Sequence, residues 1–504
     1  MKTYITNKKQ YKKSKGRQTA VCLFWLAIWQ AAAMAVAKPL ILPGPWDTVT
    51  RLVSLTGEEE FYLNILWTLI RCLSAMALSF ILGSLCAWLA YRSVTVRSLL
   101  TLPVGFFKAV PVMAIIIYVI LLVSADWVAV IVCFLMCFPI VYTNILTGLD
   151  AMPEEFLELA YIYDLTAAEK VRYIYIPGIR PYVMSAVHLI TGMSWKAVVA
   201  AEVLSIPKYS LGYEMMNSKY YLQTPTLFAY ILVIVILSLT MEKLVGLILD
   251  RSKPEGYQGS RLSCTKGHRS RNGAEVDHLD EGKPQSAPDI VFSGVTKSFD
   301  GQKVLDGLDM SFDGAKVTLL KGPSGRGKTT IARLAAGLEK PDAGIIKISS
   351  EMKISFLFQE ERLIPWLNIY DNMALGLLRD GGIYGAASGG AAAGGCKDDN
   401  VHMDRSPLND PVIEMAKALE IDDAIWKLPE ELSGGMKHRA ALGRTFLANS
   451  NVMVMDEPFR GLDQNLKERI IRRLWKKVSA GKTVILITHN DKDAELMGEK
   501  TIEI

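Results

Sequence analysis

Val317-Thr318-Leu319-Leu320-Lys321-Gly322-Pro323-Ser324-Gly325-Arg326-Gly327-Lys328-Thr329 is an apolar β-type run that passes directly into a Gly-rich loop of the form GxxxxGK[ST]. A helical stretch follows from Thr330. Glycines let successive backbone N–H groups converge on phosphate oxygens, a lysine at the loop's end adds positive charge near the β/γ-phosphates, and the next hydroxyl can ligate Mg²⁺. Gly322, Pro323, Ser324, Gly325, Arg326, Gly327, Lys328, Thr329 and Thr330 are therefore the expected phosphate cradle, with Thr329 also a metal ligand. A chance Gly-rich turn is the competing reading, and the strand–loop–helix context weighs against it. Further on, the apolar run Val452–Met455 ends in Asp456-Glu457. Two carboxylates at a strand end suit a pair in which Asp456 holds the Mg²⁺ shell and Glu457 polarises the attacking water. Loop and carboxylates together predict nucleotide hydrolysis with Mg²⁺.

Around these motifs, short β-rich runs (Val317–Leu320, Lys353–Phe358, Val452–Met455, Thr483–Thr488) alternate with helical stretches, the pattern of an α/β domain with a mainly parallel sheet. Residues 289–504 make one such domain. Inside it, 381–395 is so rich in glycine that it is expected to be a surface insertion without a packed core. Upstream, 251–288 is polar and basic without apolar periodicity, and reads as a flexible tether.

The first 250 residues are of another kind. Six apolar segments, about 20–37, 66–91, 99–123, 127–149, 181–204 and 226–249, each approach the length that crosses a hydrocarbon core. An all-soluble chain is excluded on that ground. The 504-residue chain has a net charge of only +5, while Lys2, Lys8, Lys9, Lys12, Lys13, Lys15 and Arg17 crowd its start without an acid. That distribution argues against a nucleic-acid binder and for a cytoplasmic membrane flank. An inside amino terminus puts the loop at 150–180 and everything after 249 in the cytoplasm. The first segment also has signal-peptide features, ending in Ala35-Val36-Ala37; an uncleaved anchor is the expectation, given its length. Of the seven cysteines five lie in apolar runs and none forms a CxxC pair, so buried free thiols are expected rather than a metal or disulfide framework.

Leu432-Ser433-Gly434-Gly435-Met436, about 20 residues before the strand carrying Asp456, resembles the signature of ABC-transporter ATPases. Gln359 after Phe356-Leu357-Phe358 resembles their Q-loop, Gly461-Leu462-Asp463 their D-loop, and His489 in Ile487-Thr488-His489 their switch histidine. The resemblance implies catalytic roles for Glu457, His489 and Gln359, a share in the metal for Gln359, and adenine stacking by Phe299. It implies further that two ATPase domains sandwich ATP, with Ser433, Gly434, Gly435 and Asp463 of one copy facing the phosphate loop of the other. One copy per chain then implies a homodimer. His438, where the family usually has Gln, and Arg460 before the D-loop are departures.

The 150–180 loop contains Glu158-Leu159-Ala160 and Ile174-Tyr175-Ile176-Pro177, which resembles the EAA motif of ABC importer permeases, a cytoplasmic helix pair that docks near the Q-loop. Glu158, Ala160, Asp164 and Pro177 are the coupling residues so implied, with Asp164 at the family's Gly position. Pro177 and Pro181 fall where a broken helix is expected to re-enter the bilayer. Ile41-Leu42-Pro43-Gly44-Pro45, Ala200-Ala201-Glu202, Leu211-Gly212-Tyr213 and Gln359–Trp366 resemble nitrate/sulfonate/taurine-type systems. Lys196 and Glu202 lie in the fifth apolar segment, where charge is costly; a structural or gating role is preferred to contact with a substrate anion.

The expected architecture is multidomain: an all-α transmembrane domain (1–250, six helices, type I importer-like), a linker and an α/β P-loop ATPase domain. The resemblance implies a multi-pass plasma-membrane protein that imports a small-molecule substrate, an organic anion, with an extracytoplasmic substrate-binding protein. An exporter half-transporter would show a larger membrane region; a membrane-anchored ATPase that moves no solute would carry a large outer domain.

Overall fold

The structure is a computed structural model that describes residues 20–251, 287, 289–380, 410–489, 497 and 500–504, apart from positions 22, 37, 39, 324 and 350. The basic first 17 residues, Ala37 of the cleavage-like triplet, Ser324, the 381–395 insertion, Cys22, Cys264, Cys396 and all but the ends of the expected tether lie outside the described residues. The chain divides into two compact units, Met1–Met152 with Gly178–Lys253, and Pro153–Pro177 with Pro254–Ile504.

The first unit is helical. Its helices are α1 (Leu23–Val36), α2 (Pro45–Leu55), α3 (Glu59–Arg92), α4 (Val94–Ala109), α5 (Val112–Ile120) and α6 (Ala125–Asp150). The chain continues through α7 (Glu154–Ile162) and α8 (Ala167–Glu169) of the second unit. It then forms α9 (Ile176–Ser205), α10 (Leu211–Tyr220) and α11 (Thr224–Arg251). Against the six crossings expected, four helical runs among the described residues are long and apolar enough to cross a membrane: α3, α6, Ala167–Ser205 and Thr224–Leu249. The third expected segment is not one straight helix. It breaks into α4 and α5 with a bend of 102°, because Pro111 lacks an N–H and holds Val110 extended (φ −72°, ψ 131°). Counting that bent pair gives up to five; α1 is a shorter apolar helix.

Helices α3 and α6 pack most closely, for a reason readable in α3. Ala75, Ser79, Gly83 and Ala87 recur every fourth residue and are all buried. A Cβ on Gly83 would come within 2.9 Å of Val141 on α6. In hydrocarbon, where lipid is as apolar as leucine, such small side chains bring backbones together and dispersion does the rest.

A second expectation also needs correction. Pro177 and Pro181 do not break the helix: Ala167–Ser205 is continuous, with a π-helical turn at Lys170–Tyr175 just before Pro177. Widening the turn accommodates the missing proline N–H without ending the helix.

The second unit has two sheets. β1 (Ile290–Phe299) and β2 (Gln302–Phe312) form a hairpin through Asp300-Gly301, both at positive φ (49° and 81°) as a two-residue turn requires. β3 (Val317–Lys321) follows, and β4 (Ala343–Ile348) pairs with β1 in an antiparallel sheet of order β2-β1-β4. β5 (Ile354–Leu357), β6 (Val452–Asp456), β7 (Thr483–Ile487) and β8 (Lys500–Glu503) join β3 in a parallel sheet of order β5-β6-β7-β3-β8. Every residue of β5, β6 and β7 is buried, which is why these strands read as unbroken apolar runs in the sequence. Helices α12 (Lys328–Ala335), α13 (Ile369–Ala374), α14 (Pro411–Ala418), α15 (Gly434–Leu447), α16 (Gln464–Ile470) and α17 (Lys476–Ser479) complete the unit. Its core joins Leu319, Met453, Met455, Val484 and Leu486 of the sheet to Leu442, Phe446 and Trp475 of the helices.

Candidate functional site

The sheet order decides which loops meet. In β5, β6, β7 and β3, Leu357 is level with Met455, Asp456 with Ile487, and Leu320 with Ile487. Four segments therefore leave one C-terminal edge side by side: the loop from Gly322, Gln359, Glu457 and His489. In parallel α/β sheets this edge is where ligands bind.

Gly325 and Gly327 both hold positive φ (83° and 85°), a conformation costly for a residue with a Cβ. Gly327 caps α12, and a Cβ there would meet Leu305 at 2.8 Å; one on Gly325 would meet nothing. The loop thus faces open space and turns into the N-terminus of α12, whose first N–H groups have no helical partner. Lys328, buried at the first turn, donates from Nζ to the carbonyls of Gly322 and Pro323, each at 2.8 Å. Arg326 and Thr329 are exposed and Thr330 half-buried.

Thr329 Oγ1 donates to Asp456 Oδ2 at 2.7 Å. This hydroxyl–carboxylate pair is an oxygen donor set of the kind hard divalent cations take, so these residues fit Mg²⁺. Burial raises the Asp456 carboxyl above its ordinary range, and the hydrogen bond from Thr329 opposes the rise.

Glu457, the next residue, has φ +52°. For a β-carbon-bearing residue this left-handed conformation costs about 1 kcal/mol or more; the Glu457 N–H holds it by donating to the Ile487 carbonyl at 2.9 Å. The strained turn sets the carboxylate 3.5 Å from His489 Nε2 and 3.8 Å from Arg460 Nε. His489 therefore joins Glu457 through space, and the Arg460 guanidinium stands near the other carboxylate oxygen.

Gln359 is exposed beyond β5 and level with this group. Phe299 ends β1 and is 42% exposed, and Lys297 Nζ lies 5.1 Å from its ring centroid. Ser433 caps α15, accepting from the Met436 N–H at 3.4 Å, and is exposed with Gly434. Asp463 caps α16 by accepting from the N–H groups of Asn465 and Leu466. The signature turn touches the D-loop rather than the phosphate loop of its own chain: a Cβ on Gly435 would lie 3.5 Å from the Gly461 carbonyl. Buried His438 ties the two together, its Nε2 2.8 Å from the Pro458 carbonyl. Against a carbonyl that nitrogen must carry the proton, and burial, which lowers the imidazole's basicity, keeps it neutral.

Pro153–Pro177 packs within this unit. Glu158 accepts from Arg333 at 2.6 and 3.1 Å and from Arg362. Arg333 stands on α12, the helix that Lys328 begins; Arg362 lies three residues after Gln359. Burial alone would raise the Glu158 carboxyl, but the two guanidinium hydrogen bonds outweigh it and hold it below the usual range. Ala160 is fully buried, as close packing demands. Asp164 has φ +52°, so the corner between α7 and α8 adopts the left-handed turn that explains a glycine in the resembling family; aspartate tolerates it. Trp366 Nε1 donates to the Tyr173 carbonyl at 2.7 Å, and its ring meets Phe156 edge-on at 5.5 Å.

In the first unit, Glu202 is fully buried and holds Arg71 Nη1 at 3.0 Å, the Thr68 hydroxyl at 3.0 Å and the Gly212 N–H at 3.2 Å. Arg71 also donates to the carbonyls of Lys208 and Tyr209. Gly212 is required there, since a Cβ would come within 2.4 Å of the Glu202 Cβ. Glu202 is thus the centre of a network that fixes the 206–212 turn, whereas Lys196 is exposed on α9. Arg362 and Trp366 lie in the Gln359–Trp366 stretch whose resemblance was noted but whose partners were not, and Arg333 carried no signal separating it from ordinary surface side chains.

Residues 305–460 match the family described as ABC transporter, and residues 79–253 the binding-protein-dependent transport system inner membrane component. Among curated proteins, the aliphatic sulfonates import ATP-binding protein SsuB of Delftia acidovorans is 30% identical, over 44% of this chain and 81% of that protein. The spermidine/putrescine import ATP-binding protein PotA of Marinobacter nauticus is 31% identical over 42% of this chain and 54% of that protein. The sn-glycerol-3-phosphate import ATP-binding protein UgpC of Psychromonas ingrahamii is 29% identical, over 42% and 54%. The chain spans about half the length of the latter two.

Proposed function

Because the chain belongs to the ABC transporter family, with a binding-protein-dependent permease segment ahead of an ABC ATPase, we propose that it is an ATP-driven importer half that works as a homodimer. Its ATPase unit is cytoplasmic in this reading, and the solute arrives from an extracytoplasmic binding protein. The observation that carries the reading is the grip on Glu158. A segment cut from the membrane half of the sequence is held by Arg333 on the phosphate-loop helix and by Arg362 just past Gln359.

In the proposed cycle the loop 322–329, completed by Ser324, binds the phosphates of ATP, with Lys328 at the β/γ end and Phe299 against adenine. Thr329 and Asp456, joined by Gln359, would hold Mg²⁺, which when bound neutralises phosphate charge. Glu457 orients and polarises the attacking water, and His489 beside it senses the γ-phosphate. Ser433, Gly434 and Asp463, exposed on their own chain, and half-buried Gly435 beside them would meet the phosphate loop of a second copy. Closure of two such units would move both 153–177 segments, with Ala160, Asp164 and Pro177, through the Glu158 grip. The sulfonate-import name of one relative supports a small organic anion as cargo; the polyamine and glycerol-phosphate names of the others mark how much of that choice lies outside the ATPase.

The test is Glu457→Gln beside Lys328→Ala in the full chain reconstituted in vesicles. Glu457→Gln is expected to keep ATP binding and lose hydrolysis by about a hundredfold or more; Lys328→Ala is expected to lose nucleotide affinity. Parental hydrolysis by Glu457→Gln would remove the base assignment.

A further inference from the structure

Between the C-terminal half of α2, the residue preceding α3, α10 and the start of α11 lies a cavity of about 260 Å³, lined among others by Arg51, Glu58, Glu214, Asn217, Ser218 and Tyr230. It lies wholly within the first unit, and nothing in the ATPase cycle uses it. Its charge is unbalanced. Arg51, the only cation in the lining, is committed: Nε donates to Thr226 Oγ1 at 3.0 Å, Nη1 to Ser54 Oγ at 2.9 Å, and Nη1 stands 3.7 Å from Glu58. No lining cation remains for Glu214.

Two hydroxyls point to a missing partner. Tyr230 is 3% exposed and Ser218 4% exposed. Neither hydroxyl has a hydrogen-bond partner among the described residues, and both residues line the cavity. Hydroxyls of buried residues that line a cavity and find no partner in the protein take one from whatever fills the cavity. An anion would meet two carboxylates and find the guanidinium taken; Glu214 has a hydrogen bond from Asn64, but an uncharged solute would leave its charge without a counter-ion. A compact cation with several N–H donors satisfies carboxylates and hydroxyls together.

We infer that this cavity is a binding site for a small protonated amine. The proposed transport reading enters only in placing the site at the outer end of the membrane unit; the chemistry stands without it. Two sources share that chemistry, a free amine and the ethanolammonium headgroup of a lipid.

The experiment uses the full chain in nanodiscs of phosphatidylglycerol alone, without nucleotide, and measures radiolabelled ethanolamine by equilibrium dialysis, with isethionate, an anion on the same hydroxyethyl chain, as competitor. Saturable ethanolamine binding is expected, undisturbed by isethionate and weakened about tenfold or more in Glu214→Gln. Tyr230→Phe, which keeps the ring, is expected to weaken it less. Basal ATP hydrolysis of both variants is expected at the parental rate, which separates loss of the site from loss of the fold. Repeating the measurement with phosphatidylethanolamine in the discs assigns the source: suppressed ethanolamine uptake identifies the headgroup, unchanged uptake a free amine, and either supports the site. The inference is overturned if no saturable binding occurs in phosphatidylglycerol, if isethionate competes, or if Glu214→Gln binds as the parent does. Since nucleotide is absent, such a failure leaves the ATP-driven reading untouched, and an inactive ATPase would leave this one untouched.

Discussion

Trp366 donates its indole N–H to the Tyr173 carbonyl at 2.7 Å, and Tyr173 stands four residues before Pro177, which has no N–H to offer it. A proline inside a helix frees the carbonyl one turn back. Here the ATPase unit's own tryptophan takes that group while its ring rests on Phe156. The proline and the tryptophan, nearly two hundred positions apart, are two halves of one contact.

Trp366→Phe keeps an aromatic ring against Phe156 and removes only the N–H. It is expected to cost about 1 kcal/mol of stability and to lower transport per ATP hydrolysed while hydrolysis itself continues. Thermal unfolding and a coupled flux assay on the full chain check this. Unchanged flux per ATP would reduce the contact to packing.

Asp371 in α13 is buried, and neither carboxylate oxygen has a hydrogen-bond partner among the described residues. Burial pushes its carboxyl up to about 7. A carboxyl raised on folding holds its proton in the native state while the unfolded chain has released it. Stability is therefore greatest below the ordinary aspartate range, falls as pH rises toward about 7, and is level beyond. Asp371→Asn removes that slope and is expected to stabilise the chain by about 1–3 kcal/mol at about pH 8 and by less at about pH 5. Thermal melts at the two pH values give the comparison, and an equal gain at both would mean that ionisation is not the cost.

The Arg71–Glu202 pair is sealed in the helical unit. Arg71→Met strands a buried carboxylate and is expected to cost about 3–5 kcal/mol. Adding Glu202→Gln removes the stranded charge but keeps acceptors for Thr68 and Gly212, and is expected to restore about half of the loss or more. Melting of the three variants in one membrane mimetic decides it; a double variant no better than Arg71→Met would show that the charge is not what the network needs.

Much of the ATPase unit was legible in advance because its chemistry is local. The strand before Gly322, the loop itself and the carboxylates after Met455 are contiguous stretches, and the strand limits at 317, 452 and 483 follow from apolar runs buried on both faces. The membrane half was less legible. Hydropathy located apolar segments, but Pro111 broke one and Pro177 broke none, since a proline's effect depends on whether a wider turn or a side chain can meet the freed carbonyl.

Residue order along the chain was enough to determine that a Gly-rich loop ending in Lys328-Thr329 and a carboxylate pair at Asp456-Glu457 follow a series of apolar segments, because both depend on neighbours within a few positions. Only the tertiary structure decided who meets whom: Glu457 with His489, Glu158 with Arg333 and Arg362, Arg71 with Glu202, Trp366 with Tyr173. These partners are separated by tens to hundreds of residues, and periodicity carries no term for such distances; packing of strand edges and helix faces sets them.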